Sequence, residues 1–162
     1  TGGGIVRHDH DFTYTVVVPA GHWLCAMARV DSYGWVNRAV ADALGRVAIA
    51  ADLTEQTIAE GVDRRRMVCF SHPTRYDIMA DNRKVAGSAQ RRTSSGILHQ
   101  GSIHFGGPAP VPRDALQRAM LDGFRHCLVH RFVPFAPDDA VMAAATELFD
   151  RHYGTEAWNN RR

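Results

Sequence analysis

The sequence predicts an α+β domain with a largely antiparallel, mixed sheet and flanking helices. Three observations support this fold class. Segments rich in β-branched and aromatic residues fill the first two thirds of the 162 residues, turn residues join these segments as hairpins, and helical patterns dominate the end. The length suits one domain, predicted over 1–162, and the 45% hydrophobic content suits a folded core.

Strand patterns surround one helix in the first part of the chain. The predicted strands are Ile5–Val6, Phe12–Val18, Val47–Ala50 and Met67–Phe70. The helix is predicted over Ser32–Leu44, because Ser32 is a good N-cap, apolar residues recur at helical spacing and Gly45 follows.

Hairpin signals follow in the middle of the chain. Thr74–Met79 is predicted to be extended, Asp81 and Asn82 are turn-forming residues, and the second arm begins at Lys84. A second turn, over 93–96, leads to a strand over 97–105. The sheet then ends, because glycine and proline dominate the next segment.

Helical patterns occupy the end of the chain, after the loop Gly106–Pro112. Apolar residues at helical spacing predict helices over Asp114–Arg131 and Asp138–Tyr153, the second capped by Asp138. The segment RFVPF, residues 131–135, is predicted to be a short strand between them.

Composition excludes several classes of protein. A formal net charge of +2 is too small to indicate nucleic-acid binding, and no apolar run reaches the ~20 residues of a membrane helix. Cys25, Cys69 and Cys127 are odd in number and form no C-x-x-C pair, which favours reduced thiols over disulfides or zinc. We predict a cytoplasmic protein, and because the chain begins at Thr1 rather than at methionine, we expect a first part of the domain to precede it.

Lys84 is the single lysine among nineteen Lys and Arg residues. An ammonium is a compact charge with three donors, whereas a guanidinium is a wide fork that cannot approach one atom from one side. Lys84 therefore either marks a place where arginine would not serve or is a surface residue retained by chance. Gly87, Ser88 and Ala89 follow it, and small residues on a strand leave room for a substrate.

Other segments carry candidate chemistry. In TGGG, residues 1–4, backbone N–H groups can approach a carbonyl or phosphate, although a tight turn is the commoner use of glycine. Cys69 ends a predicted strand, and His72 or Lys84 could favour its thiolate; a buried, inert cysteine is the alternative. His8 and His10 lie two apart without a marked third ligand, so we predict no metal site.

Four segments resemble motifs of the lipoate and octanoate protein ligase/transferase family. TGGGIVRHDHDFTYTVVV is similar to TGGG-x-V-x-H-x-x-x-x-T-Y-S, and NRKVAGSAQRRTSSGILHQGSI is similar to G-[RK]-K-x-x-G-S-A-Q-x-R…H-G-[ST]-[IL]. CFSHPTRYDIM, residues 69–79, resembles the C-F-x-x-P-x-x-Y-[DE] segment of the octanoyltransferases that use an acyl-cysteine, which the ATP-dependent ligases do not share. The C-terminal RHYGTEAWNNRR resembles the Y-x-x-x-x-W-N of the same group.

The resemblance implies a fold akin to the catalytic domains of biotin protein ligases and class II synthetases. It also implies transfer of an octanoyl (or lipoyl) group, without a cofactor, from acyl carrier protein to a lysine of a lipoyl carrier domain, with octanoyl-acyl carrier protein as the octanoyl donor. That carrier would be glycine cleavage H protein or a 2-oxoacid dehydrogenase E2 component. On the matching positions, Lys84 would hold the acyl carbonyl, Cys69 would be the nucleophile and His72 a base. The residues lining the acyl tunnel and the carbonyl site would be Thr1, Gly2, Gly3, Gly4, His8, Gly87 and Ser88.

Two alternatives stay open. An ATP-dependent lipoate-protein ligase would use ATP and Mg to form lipoyl-AMP, which Lys84 would contact while Cys69 was a bystander. A non-catalytic relative would bind acyl groups or carriers without turnover. The chain also departs from the family pattern, because Gln100 stands where the family has a histidine and His99 comes one residue earlier. Successive strand side chains alternate between faces, so we expect His99 on the opposite face and assign it no catalytic role.

Overall fold

One sheet places the candidate residues, and its strands are β1 (Phe12–Pro19), β2 (Asp52–Leu53), β3 (Ile78–Ala80), β4 (Arg83–Thr93) and β5 (Gly96–Ile103). The computed structural model describes residues 8–57, 70, 72–128 and 131–160. Within these residues the strand order is β1-β5-β4-β3-β2, and every neighbouring pair is antiparallel. The predicted fold class, α+β with a largely antiparallel sheet, is confirmed.

Both predicted hairpins around β4 are present. Ala80 pairs with Arg83, so Asp81 and Asn82 alone form the first turn, with φ angles of 49° and 58°. Two successive residues with positive φ match the twist of the flanking strands, and Asp and Asn tolerate this conformation well. The second turn, over 93–96, joins β4 to β5 in continuous register.

A bulge interrupts the pairing of β3 with β4. Ile78 pairs with Ala86 while Met79 pairs with Lys84, so Val85 is an extra residue on β4. Bulges bend a strand and re-aim the side chains beside them. Lys84 directly precedes the extra residue of this bulge.

Helices cover the core, and in this part of the chain they are α1 (Trp23–Ala26), α2 (Arg29–Arg46) and α3 (Arg113–Cys127). The contact between α2 and α3 is close at Gly123, where an added Cβ would lie 2.4 Å from the carbonyl oxygen of Ala39. The buried apolar residues come from these helices and the sheet, and they include Val36, Val40, Leu44, Ile78, Ile103, Leu116 and Met120.

Four local predictions are wrong. Thr74–Met79 is not extended throughout, because Arg75 and Tyr76 form a turn, with Tyr76 at φ 68°, and β3 begins only at Ile78. Helix α2 begins at Arg29 rather than at Ser32, whose hydroxyl is inside the helix and donates to the Arg29 carbonyl at 3.0 Å. Val47–Ala50 is not a strand, because Val47 and Ala48 form a turn after α2, with Ala48 at φ 60°, and 49–50 are irregular. Residues 131–135 form no strand. The predicted strands at Ile5–Val6 and 67–70 lie outside the described residues, except for Phe70.

The chain divides into two compact units, Thr1–Arg131 and Phe132–Arg162. The second unit contains α4 (Asp139–Leu148), a π-helical turn (Phe149–Tyr153) and α5 (Glu156–Asn159). Asp138 caps α4 as predicted, since its carboxylate accepts the Val141 N–H at 2.9 Å. The single domain over 1–162 stays a prediction. Among the described helices, none has the length and apolar character needed to cross a membrane.

Candidate active site

Lys84 lies on β4, and its ammonium is buried in an ion pair with Asp77. The distance from Lys84 Nζ to Asp77 Oδ2 is 2.7 Å, and the two side chains are 7% and 1% exposed. Removing two charges from water is costly unless they are paired and further hydrogen-bonded. The pair joins the two arms of the first hairpin, because Asp77 directly precedes β3.

The Asp77 carboxylate is hydrogen-bonded at both oxygens. Oδ2 accepts the Thr74 N–H at 2.7 Å and the Thr74 hydroxyl at 2.9 Å, and Oδ1 accepts the Tyr33 hydroxyl at 2.7 Å. Tyr33 comes from α2, and its oxygen also accepts the Ser88 N–H at 3.1 Å. Burial and, next, the charge of Asp77 raise the pKa of Tyr33, so the phenol is a neutral donor.

Gly87 provides the space that the Lys84 side chain occupies. A Cβ added at Gly87 would lie 2.5 Å from Lys84 Cε, 2.8 Å from Nζ and 3.3 Å from Asp77 Oδ1. The room predicted beside Gly87 for a substrate is therefore filled, in this structure, by Lys84 itself. Glycine is required here by the ion pair and not by a positive φ.

A pocket of about 440 Å³ opens beside Lys84. Its lining includes Phe70, Met79, Arg83 and His104. The Phe70 ring centroid is 5.6 Å from Lys84 Nζ, within reach of a cation–π interaction. The volume is in the range of small-ligand sites, and apolar and cationic groups both face it.

His8 belongs to a hydrogen-bonded chain that leads to the neighbouring strand. Its Nδ1 pairs with Asp11 Oδ2, which also accepts the Ser102 hydroxyl. Burial alone would raise the pKa of Asp11, but the hydrogen bonds from Ser102 and His8 outweigh it and lower that pKa. Ser102 is directly opposite Gly87 in the β4–β5 register, so both residues face the same side of the sheet.

Ser88 faces the other side of the sheet, because it follows Gly87 directly on β4. Its hydroxyl donates to Asn37 Oδ1 at 2.8 Å and lies 3.0 Å from the Tyr14 hydroxyl. These contacts connect β4 to α2 and β1. The predicted contact of Ser88 with a substrate stays a prediction.

The structure describes only some of the other predicted site residues. Cys69 and residues 1–4 lie outside the described residues. His72 is exposed, and its role as a base stays a prediction. His99 is fully buried whereas Gln100 is exposed, so the two side chains do face opposite sides of β5.

Sequence reasoning did not single out Asp77 or Tyr33. For Asp77 a signal was available, since it occupies the [DE] position of the C-F-x-x-P-x-x-Y-[DE] pattern. Tyr33 is 44 residues from Asp77 in the sequence and gave no local signal. Only the packing of α2 beside β4 brings its hydroxyl to the ion pair.

One cluster of potential metal ligands occurs among the described residues, on α2 and α3. The ligand atoms of Asp42, His126 and Cys127 lie within 4.8 Å of one another. Asp42 is already paired with Arg46 at 2.6 Å, and burial and the Asp42 charge raise the pKa of Cys127. His126 Nδ1 also lies 3.0 Å from Asp42 Oδ1, so two of the three potential ligands already have partners.

Comparison with known proteins identifies relatives of this chain. The family profile described as Lipoyl protein ligase A/B catalytic domain matches residues 1–125. Octanoyltransferase LipM of Halalkalibacterium halodurans is 27% identical over 201 residues, which cover 100% of this chain and 73% of that protein. The family resemblance of the motifs is confirmed.

Solved structures show the same fold. A T. acidophilum protein described as a lipoate protein ligase, with bound lipoic acid, has a TM-score of 0.77 at 24% identity, covering 98% of this chain and 69% of the other. Lipoate-protein ligase A bound with ATP has a TM-score of 0.71 at 21% identity, covering 92% and 64%. The profile match spans well over half of the sequence, and the chain therefore belongs to the lipoyl protein ligase A/B catalytic domain family.

Proposed function

We propose that this protein transfers an octanoyl group from octanoyl-acyl carrier protein to a lysine of a lipoyl carrier domain, through a thioester on Cys69. The observation that carries the proposal is the buried Lys84 ammonium, held 2.7 Å from Asp77 beside a pocket, in a chain similar to octanoyltransferases. Phe70 contacts Lys84 and directly follows Cys69 in the sequence, which supports a thiol acting at this lysine.

The first step exchanges one thioester for another. The Cys69 thiolate attacks the octanoyl carbonyl, a C–S bond to Cys69 forms, and the carrier protein departs as a thiol after taking up a proton. A cation beside the thiol favours the thiolate, and an N–H donor aimed at the carbonyl oxygen stabilises the oxyanion. Lys84 serves both purposes.

The second step forms an amide. The amine of the carrier-domain lysine attacks the octanoyl-Cys69 carbonyl, loses a proton to a base and releases the Cys69 thiol. His72 is the proposed base. The octanoyl-Cys69 thioester is close in free energy to the donor thioester, and both lie well above the amide product. The reaction therefore needs neither ATP nor a metal. A lipoyl thioester would follow the same route.

The test is to detect the acyl-cysteine. The protein is incubated with octanoyl-acyl carrier protein without ATP, and intact mass spectrometry measures a hydroxylamine-labile octanoyl adduct. We expect the adduct in the wild type and in a Cys127→Ser control, which alters a half-buried thiol of raised pKa. We expect no adduct and no transfer in Cys69→Ser.

Other outcomes contradict the proposal in distinct ways. Full transfer by Cys69→Ser would exclude the thioester route. A strict requirement for ATP would identify a ligase acting through an acyl-adenylate. Tight binding of the donor without any turnover would identify a non-catalytic relative.

A further inference from the structure

The Asp77 carboxylate makes more contacts than are needed to neutralise the charge of Lys84. Besides Lys84 Nζ, its carboxylate accepts three donors from Thr74 and Tyr33, all within 2.9 Å. Thr74 fixes Oδ2 from the segment before β3, and Tyr33 fixes Oδ1 from α2. A carboxylate held at both oxygens cannot rotate, so it presents one acceptor to Lys84 in one direction.

The lysine side chain needs such a fixed acceptor. A lysine has four rotatable bonds, and an ammonium left to sample them is a poor stabiliser of an oxyanion at one place. Donors that are already oriented before the reaction require no reorganisation when charge develops. Gly87 completes the arrangement by leaving room for the stem of Lys84.

We propose that Asp77 is a positioning residue of the acyl transfer: held by Thr74 and Tyr33, it fixes the Lys84 ammonium over Gly87 at the site of the developing oxyanion. This inference rests on the proposed function, in which Lys84 touches the acyl carbonyl. Asp77 acts through Lys84 and does not contact the substrate.

A merely structural role makes a different prediction. A carboxylate needed only for folding would, when replaced, change stability and leave the rate per folded molecule unchanged. A positioning residue changes the rate of the chemical step at unchanged donor affinity. The measurement is therefore the single-turnover rate of octanoyl adduct formation on Cys69, together with the KM for octanoyl-acyl carrier protein and the Tm.

Asp77→Asn is the main variant, because it keeps size and shape while removing the charge and one acceptor. We expect the maximal acylation rate to fall about 100-fold, the loss that a misplacement of about 1 Å can cause, with KM changed less than threefold. Asp77→Glu retains a carboxylate, and because the octanoyltransferase pattern allows glutamate at this position, we expect a smaller loss than in Asp77→Asn. The matched control is Asp114→Asn, an exposed carboxylate paired with Arg118 on α3, with no change expected.

The outcomes separate this inference from the function on which it rests. If the wild type forms no adduct, the proposed function fails. If the wild type forms the adduct and Asp77→Asn forms it equally fast or faster, the positioning role is overturned and the function stands. If Asp77→Glu acylates no faster than Asp77→Asn, a restored carboxylate does not restore the position of Lys84, and the positioning role is overturned.

A second variant covers the case in which Asp77→Asn does not fold. Thr74→Val removes one hydroxyl donor to Asp77 and leaves the Thr74 N–H in place. We expect a folded protein that acylates about fivefold more slowly, and an unchanged rate would overturn the proposal.

Discussion

Lys84 and His99 are both buried ionisable side chains on neighbouring strands, but their surroundings differ. The Lys84 ammonium is paired with Asp77, and Thr74 and Tyr33 support that carboxylate. His99 is fully buried and packs against the rings of Tyr14 and Tyr33, with centroids 6.2 and 5.5 Å away. Neither of its ring nitrogens has a hydrogen-bond partner among the described residues.

The difference shows how this fold controls charge in its interior. At Lys84 and Asp77 partners are supplied, and the two side chains form an ion pair. Where they are not, burial lowers the pKa of His99 to about 4, so the imidazole is neutral and packs like an aromatic ring. Chemistry that needs a fixed charge is therefore expected at Lys84 on β4, and β5 contributes packing through His99.

The largest effect should follow from exchanging the cation at Lys84. Lys84→Arg keeps the charge, and a guanidinium can still pair with Asp77, so we expect the fold to be retained. The wide fork cannot reach one carbonyl oxygen over Gly87, and octanoyl transfer should fall about a thousandfold, as expected for loss of an oxyanion donor. Transfer rates and Tm, measured together, check this.

The matched control replaces an arginine by a lysine on the same strand, β4. Arg91 is exposed on β4, and Arg91→Lys should leave both transfer and Tm unchanged. Near-normal transfer by Lys84→Arg would remove the distinction between a positioned ammonium and a general positive charge.

A smaller effect should follow from filling the space that Gly87 leaves for the Lys84 side chain. In Gly87→Ala the new Cβ would displace Lys84 Cε and Nζ, which are the far end of a flexible side chain, so the lysine should move rather than the backbone. We expect kcat to fall about tenfold to 100-fold with little change in Tm. A Cβ added at Gly107 meets nothing within 4 Å, so Gly107→Ala is the control.

Equal activity of the two alanine variants would show that Lys84 tolerates another position. It would also restore the simpler interpretation, in which the small residues after Lys84 leave space for a substrate. A large loss of Tm in Gly87→Ala would instead mean that the backbone had moved.

The hairpins could be predicted from the sequence because their signals are local. Asp81 and Asn82 adopt the positive φ angles that their short polar side chains tolerate, and the strands on either side follow. The position of Lys84 on the second arm was predictable for the same reason. The strand predicted over 47–50 failed because a short apolar run does not distinguish a strand from a turn whose side chains pack against the core.

The ion pair could not be predicted in this way. Its geometry depends on the bulge at Val85 and on Tyr33, 44 residues away from Asp77. Neither a one-residue register shift nor the position of a helix beside a strand is encoded in local propensity. The sequence identified Lys84 as unusual, and only the tertiary structure shows what holds it.

The smallest effect on transfer should come from His99, where the expected change is in stability. Between pH 6.5 and 4 the unfolded chain binds a proton at His99 that the folded protein does not. The free energy of unfolding should therefore be at its full value above pH 6.5 and decrease as the pH falls towards 4, by about 3 kcal/mol from this residue. His99→Phe keeps an aromatic ring in contact with Tyr14 and Tyr33 and should lack this component of the pH dependence.

Denaturant unfolding at several pH values measures the difference between the wild type and His99→Phe. His10 is exposed, so His10→Gln should retain the pH dependence of the wild type. Transfer by His99→Phe should stay within about threefold of the wild type, because a neutral ring that only packs can be replaced by another ring. A hundredfold loss of transfer would instead make His99 part of the site, and the contrast with Lys84 would then be one between two functional groups, one charged and one neutral.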